Sequence, residues 1–338
     1  MTAPSTTQPG LADNFGRVAT DLRVSLTDRC NLRCTYCMPE EGLDWLAKPE
    51  LLTDDEIIRL IEVAVHRLGV DEIRFTGGEP LLRRGVVGIV ARTAQLEPRP
   101  QISITTNGIG LARQAEALRE AGLDRVNVSL DTIRPDTFLQ LTRRDRLKDV
   151  LAGLAAAHQA GLTPVKVNAV LMRGVNDDQA PELLQFCLDH GYELRFIEQM
   201  PLDAQHGWSR DQMVTADEIL ELLGGRFTLT ATDAATRGSA PAESFTVDGG
   251  PATVGIIASV TRPFCGDCDR VRLTADGQVR DCLFARTESD LRTALRAGAD
   301  DDELADRWRR AMRGKLPGHG INDPSFLQPV RPMSAIGG

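Results

Sequence analysis

The stretch LRVSLTDRCNLRCTYCMP, residues 22–39, decides how the rest of the chain reads. Residues 22–26, LRVSL, form a short β-rich run that predicts a strand. The loop after it carries Cys30, Cys34 and Cys37, spaced C-x₃-C-x₂-C, with no fourth thiol close by. A structural zinc site wants four ligands in a closed tetrahedron. A disulfide framework wants an even number of cysteines in a small secreted chain. Thiolates also bind iron–sulfur clusters, and a [4Fe–4S] cluster normally takes four cysteines. Three leave one iron free to take a small molecule. A zinc site completed by a remote fourth ligand is the other reading.

Working outward, the same strand-then-helix rhythm repeats. A helix is predicted over 53–68, opened by a capping box in which Thr53 is the N-cap and Glu56 stands three residues on. Strands are predicted over 72–78, 101–108, 125–131, 164–171 and 193–200. Between and after them come helices over 85–95, 111–121, 147–160, 179–190 and, behind a cap at Thr215, 217–223. Six β–α units in series predict a parallel sheet with helical crossovers. A doubly wound open sheet and a partial barrel both satisfy that pattern. Polar or reactive residues stand at nearly every strand end, in TGGE, TTNG, SLD, VNAV and IEQM. In a barrel those ends meet at one mouth, whereas an open sheet binds mainly at one switch point. The expected fold is therefore α/β: an incomplete six-stranded (β/α)₆ TIM-like barrel over 21–225, with a smaller C-terminal α+β domain over 226–338. Residues 1–20 are expected to be a flexible leader.

The C-terminal part is rich in strands and turns. RVRLTADGQVR predicts a hairpin turning at ADG, residues 275–277, and helices are expected over 289–297 and 301–313. It carries a second thiol group, Cys265, Cys268 and Cys282, spaced C-x₂-C-x₁₃-C. A zinc knuckle short of one ligand is the alternative there, and His319 is poorly placed to supply it. Cys187, in LLQFCLDHGY, reads as a buried, inert thiol.

The 338 residues carry a formal charge of −9, with 42% hydrophobic and 26% charged residues. That balance argues against a broad nucleic-acid surface. No apolar run has membrane-spanning length, and the N-terminus lacks the apolar core of a secretory signal. A cytoplasmic enzyme is expected, with no nucleic-acid or membrane partner.

Taken together, LRVSLTDRCNLRCTYCMP, RFTGGEPLLR, TTNG, NVSLD and FCGDCDRVRLTADGQVRDCLF resemble the GTP 3′,8-cyclases. These are radical S-adenosylmethionine (SAM) enzymes of molybdenum-cofactor biosynthesis, and the resemblance runs from about residue 22 to the C-terminus. It implies two [4Fe–4S] clusters, on Cys30, Cys34 and Cys37 and on Cys265, Cys268 and Cys282. The first binds and cleaves SAM to a 5′-deoxyadenosyl radical. The radical takes the 3′ hydrogen of GTP, and C3′ then bonds to C8 of the guanine, which lies at the second cluster. No side chain is implied as a catalytic residue. SAM contacts are implied at Tyr36, Gly78 of GGEP, Ser129 and Met200. GTP contacts are implied at Arg23, Arg74, Thr105, Lys166, Arg270, Val271 and Arg272. Alternation along 270–273 places Arg270 and Arg272 on one face, with Val271 and Leu273 on the other. A triphosphate in an acidic protein requires such a local concentration of cations. The terminal Gly337 and Gly338 are implied to reach the active-site region. An electron donor such as a flavodoxin or ferredoxin is implied, as is passage of the product to cyclic pyranopterin monophosphate synthase, in a monomer or homodimer.

Replacing Cys30, Cys34 or Cys37 by Ala is expected to abolish formation of 5′-deoxyadenosine from SAM. Retained SAM cleavage in any of the three would overturn the assignment of the first thiol group.

Overall fold

The computed structural model describes residues 10–233 and 237–337. Strands β1 (Leu11–Ala12) and β2 (Val18–Ala19) form a small antiparallel ribbon. The β–α series follows: β3 (Asp21–Ser25), α1 (Asp54–Leu68), β4 (Glu72–Thr76), α2 (Val86–Ala94), β5 (Gln101–Thr106), α3 (Ala115–Glu120) and β6 (Arg125–Ser129). Helices α4 (Pro135–Thr142) and α5 (Leu147–Gln159) lead to β7 (Val165–Val170), α6 (Ala180–His190), β8 (Glu193–Ile197) and α7 (Ala216–Gly224). The rest comprises β9 (Leu229–Ala231), β10 (Glu243–Val247), β11 (Thr253–Ile257), β12 (Arg270–Leu273), β13 (Gln278–Arg280), β14 (Ser289–Asp290), α8 (Arg292–Arg296), α9 (Asp301–Arg313) and α10 (Met333–Ile336).

Strands β3 to β8 pair in chain order, all parallel. The incomplete barrel is thus as expected. The C-terminal strands join the same sheet at both of its edges. Strand β12 pairs parallel to β3, and β11 pairs parallel to β8. The full order is β14-β13-β12-β3-β4-β5-β6-β7-β8-β11-β10-β9. No local pattern announces that pairing, because Arg270 and Asp21, which face each other across it, are far apart in the chain.

Each barrel strand has two faces with different chemistry. Ile73 and Phe75, Ile102 and Ile104, and Val126 and Val128 are wholly buried toward the helices. Burying each such side chain contributes about 1.5–3 kcal/mol. The alternate residues point into the barrel and are mostly polar.

Local signals held where they were strong. Thr53 accepts from the Glu56 amide and Glu56 returns a bond to the Thr53 amide, and Thr215 and Glu218 repeat the box at α7. The hairpin β12–β13 turns as expected, with Gly277 at φ 78°. Elsewhere tertiary contacts corrected the reading. The leader is not loose over 10–20: Leu11 is fully buried, and Arg17 bonds the carbonyls of Cys265, Leu316 and Pro317. The 111–121 helix splits into a short 3₁₀ turn, Leu111–Arg113, and α3. The 289–297 helix starts late, because Ser289 and Asp290 pair with β13. Helix α4 was missed. Its end grips the cysteine loop: the Arg33 and Thr35 amides bond the Thr142 and Leu141 carbonyls. Among the described residues no helix is long and apolar enough to cross a membrane.

The double glycine after β4 docks this loop on the backbone of the cysteine loop. The Gly78 amide bonds Thr27 O at 2.7 Å, and the Glu79 amide bonds Arg29 O at 2.7 Å. A Cβ on Gly78 would stand 2.3 Å from Arg29 O and 2.4 Å from Asp28 O, both rigid backbone. Gly78→Ala is therefore expected to destabilise the fold by about 2–4 kcal/mol, the range of severe packing defects. Urea unfolding would read it, and unchanged stability would mean that the two loops separate freely.

Candidate active site

The interior face of the barrel sets three arginines side by side. Arg272 on β12 registers with Arg23 on β3, which registers with Arg74 on β4. Neighbouring strands lie about 4.8 Å apart. Like charges facing each other across strands are destabilising. The layer below offers partial compensation. Asp21 Oδ2 lies 3.5 Å from Arg74 Nη2, 3.8 Å from Arg23 Nη2 and 3.8 Å from Arg270 Nε. Glu72 takes Arg74 and Arg125 at 2.6 Å each.

Two acids do not neutralise this group. Burial and the neighbouring Arg74 hold the Arg23 guanidinium well below its usual range. Burial pushes Arg272 down to about 10. Burial raises the Asp21 carboxyl, but Arg74, Arg23 and Arg270 outweigh it and the net shift is downward. The Nε atoms of Arg23, Arg74 and Arg270 are buried without a hydrogen-bond partner. Buried donors normally have partners. These point to an anionic ligand absent from the protein itself.

Arg23, Arg74, Arg270 and Arg272 all line one cavity at the barrel mouth, as do Thr105, Tyr36, Ser129 and Met200. Cys37 reaches it from the first thiol group, with Cys30 and Cys34 outside the lining, and all of Cys265, Cys268 and Cys282 reach it from the second. One cavity thus spans both thiol groups, and the arginine row lies on its wall.

The first thiols sit on a tight turn, with the Cys37 and Met38 amides bonding Cys34 O. Burial raises all three, Cys37 to about 12. Tyr36 donates to Asp131 Oδ2 at 2.7 Å, and the Val170 amide holds Asp131 Oδ1. Burial pushes Asp131 up to about 6. The Asn107 amide of TTNG donates to Asn31 Oδ1 at 2.7 Å and stands 3.8 Å from Cys30 Sγ. Glu79 of GGEP is fully buried and accepts from Leu81 N, Thr106 Oγ1 and Asn107 N. Burial lifts it to about 7.

At the second group, His319 is committed elsewhere. Its Nδ1 accepts from the Ile321 amide, which leaves Nε2 to donate to Ser259 O at 3.0 Å. It cannot complete a four-ligand site in this arrangement. Among the described residues no three His, Cys, Asp or Glu side chains converge closely enough to hold one metal ion. Soft sulfur donors in threes suit iron–sulfur ligation.

Several expected positions fall outside the cavity lining. Lys166 is on the interior face but lower, paired with Glu193 at 2.9 Å. Val271 is wholly buried on the helix side, so its side chain cannot touch a ligand in the cavity. Gly78 is packed against the cysteine loop rather than opening to the cavity. Gly337, at φ 89°, accepts from the Arg272 guanidinium through its carbonyl, and the preceding Ile336 carbonyl takes Ser25 Oγ at 3.2 Å. The tail therefore does reach the arginine row; Gly338 lies outside the described residues.

The sequence reading missed Arg195. It lines the cavity from β8, donating to Asn168 Oδ1 at 2.9 Å and Asn127 Oδ1 at 3.1 Å. Burial, helped by Arg74 and Arg125, pushes it down to about 9. The signal was present: arginine and asparagines at alternate positions inside otherwise apolar strands.

Comparison with known proteins agrees with this arrangement. Residues 24–187 match the Radical SAM superfamily, and residues 192–321 match Molybdenum Cofactor Synthesis C. A GTP 3′,8-cyclase of Streptomyces coelicolor is 73% identical over 97% of this chain and 96% of its own length. A GTP 3′,8-cyclase 2 of Mycobacterium tuberculosis is 62% identical over 98% and 93%. Among solved structures, SuiB of Streptococcus suis bound to its precursor peptide SuiA superposes with a TM-score of 0.60 at 14% identity, over 89% of this chain and 68% of that one. The protein anSMEcpe with bound AdoMet superposes at 0.58 and 14% identity, over 89% and 82%. These two share the fold alone. By its close relatives and both matched segments, the chain belongs to the GTP 3′,8-cyclase family of radical SAM enzymes.

Proposed function

We infer that the chain converts GTP to (8S)-3′,8-cyclo-7,8-dihydro-GTP, the first step of molybdenum-cofactor biosynthesis. The observation that carries the reading is the registered row Arg272–Arg23–Arg74 on the wall of a cavity reached by both thiol groups. A nucleoside triphosphate supplies the anion that the row requires.

Cys30, Cys34 and Cys37 would hold the [4Fe–4S] cluster that binds SAM, and Cys265, Cys268 and Cys282 a second one at the guanine. When bound, the first cluster and SAM supply a 5′-deoxyadenosyl radical for removal of H3′ from GTP, after which C3′ bonds to C8. The protein's part is binding, orientation and exclusion of water. Tyr36, locked by Asp131, shapes the SAM side of the cavity together with Ser129 and Met200. Arg23, Arg74, Arg270 and Arg272 hold the phosphates, with Arg195 and Thr105 beside them. Lys166 would join only by leaving Glu193. Gly78 serves SAM indirectly, by fixing the cysteine loop. Gly337 aims Arg272, and Gly338 would extend the tail. A one-electron donor of the flavodoxin or ferredoxin class is part of the proposal: it would supply one electron for SAM cleavage and a second that, with a proton, completes the 7,8-dihydro product.

Anaerobic reconstitution tests the reading. About eight irons per chain, as two cubanes require, with 5′-deoxyadenosine formed in step with GTP loss, is the expected result. SAM cleavage indifferent to GTP would overturn the substrate. Arg272→Ala should raise the KM for GTP tenfold or more, since a charge-assisted hydrogen bond contributes about 1.5–3 kcal/mol, and leave SAM affinity nearly unchanged. Equal loss of both would remove Arg272 from the phosphate site.

A further inference from the structure

Behind the second thiol group stands a buried cation that substrate binding does not use. Lys315, only 3% exposed, follows the Gly314 cap of α9. Its Nζ donates to Arg270 O at 2.9 Å and Cys268 O at 3.2 Å, and lies 3.5 Å from Cys268 Sγ. It is not among the residues lining the cavity. Among the described residues no carboxylate forms a contact ion pair with it. Asp281 interacts with it only at a distance. A buried ammonium bonded only to carbonyls is costly unless a negative charge lies beside it. The sulfur of Cys268 is the group placed to carry that charge.

The position of Lys315 is enforced from the other end of the chain. Arg17, braced by Asp13 at 2.5 Å, bonds Leu316 O at 2.6 Å, Pro317 O at 3.0 Å and Cys265 O at 2.7 Å. The N-terminal ribbon thus ties the segment that follows Lys315 to the first cysteine of the same group. A surface lysine would need no such brace.

We propose that Lys315 is a positioning residue for the second cluster, a fixed positive charge beside Cys268 that raises its reduction potential. The proposal rests on Cys265, Cys268 and Cys282 holding an iron–sulfur cluster. A cation beside a cluster thiolate favours the reduced form, which carries one more negative charge, and net charge and hydrogen bonds to sulfur are the protein's means of setting the potential.

The test uses the reconstituted full chain with Cys30, Cys34 and Cys37 replaced by Ala, so that one cluster remains. Iron analysis comes first. Loss of all iron in this background would overturn the second cluster itself, before Lys315 is examined. With about four irons bound, an EPR-monitored potentiometric titration compares three variants. Lys315→Gln keeps a donor for the carbonyls and removes the charge; Lys315→Met removes both; Lys315→Arg keeps the charge. The expected result is a shift to more negative potential in the Gln and Met variants, whichever folds, and a potential near that of the parent in the Arg variant. An unchanged potential in an iron-loaded Gln or Met variant would overturn the proposal. Loss of cluster from Gln and Met but not Arg supports it, and loss from all three assigns Lys315 a role of shape rather than charge.

Discussion

Like charges are forced together at the centre of this protein. Register places Arg272, Arg23 and Arg74 on neighbouring strands, facing inward, with one Asp and one Glu beneath them. In the absence of an anion this arrangement is unfavourable, and three buried Nε donors have no partner. The fold holds the row in place because its other face is a continuous apolar layer covered by helices. The stability of that layer is what permits a strained interior, as is usual where binding sites are built.

That constraint orders the rest of the architecture. Arg272 arrives on β12, a strand from the C-terminal part of the chain, and joins the row only because β12 adds to the free edge at β3. The same strand follows the second thiol pair and precedes Cys282, so the pairing also brings the second thiol group to the mouth. The tail then returns to the row, where the Gly337 carbonyl accepts from Arg272 between Ser25 and Thr76. A side chain there would collide with both. The candidate site is therefore assembled from β3, the strand added beside it and the tail. A partial barrel allows this because it has edges to receive them.

The two thiol groups differ in the support behind them. The first is packed by backbone: the double-glycine turn, the end of α4 and Asn107 all press on the loop. The second is held by cations from distant parts of the chain, Arg17 and Lys315. Groups behind a ligand orient and tune whatever it binds, so the two thiol groups have different surroundings with which to do so.

By itself the sequence determined the strand–helix rhythm, the parallel partial barrel, both thiol groups and the arginines of the row. These are written in short-range patterns: two-residue alternation, capping boxes, cysteine spacing and motif order. Tertiary structure decided the rest. Lys166 and Arg195 are both cations on interior faces of adjacent strands, yet Lys166 meets Glu193 below the cavity while Arg195 lines it. Their depth depends on strand register, which no local window contains. Val271 lies between two inward arginines and faces out. The N-terminal segment has the composition of a loose leader, but burial of Leu11 and the acceptors around Arg17 order it over residues 10–20. Those partners come from the far end of the chain, and only packing brings them within hydrogen-bonding distance.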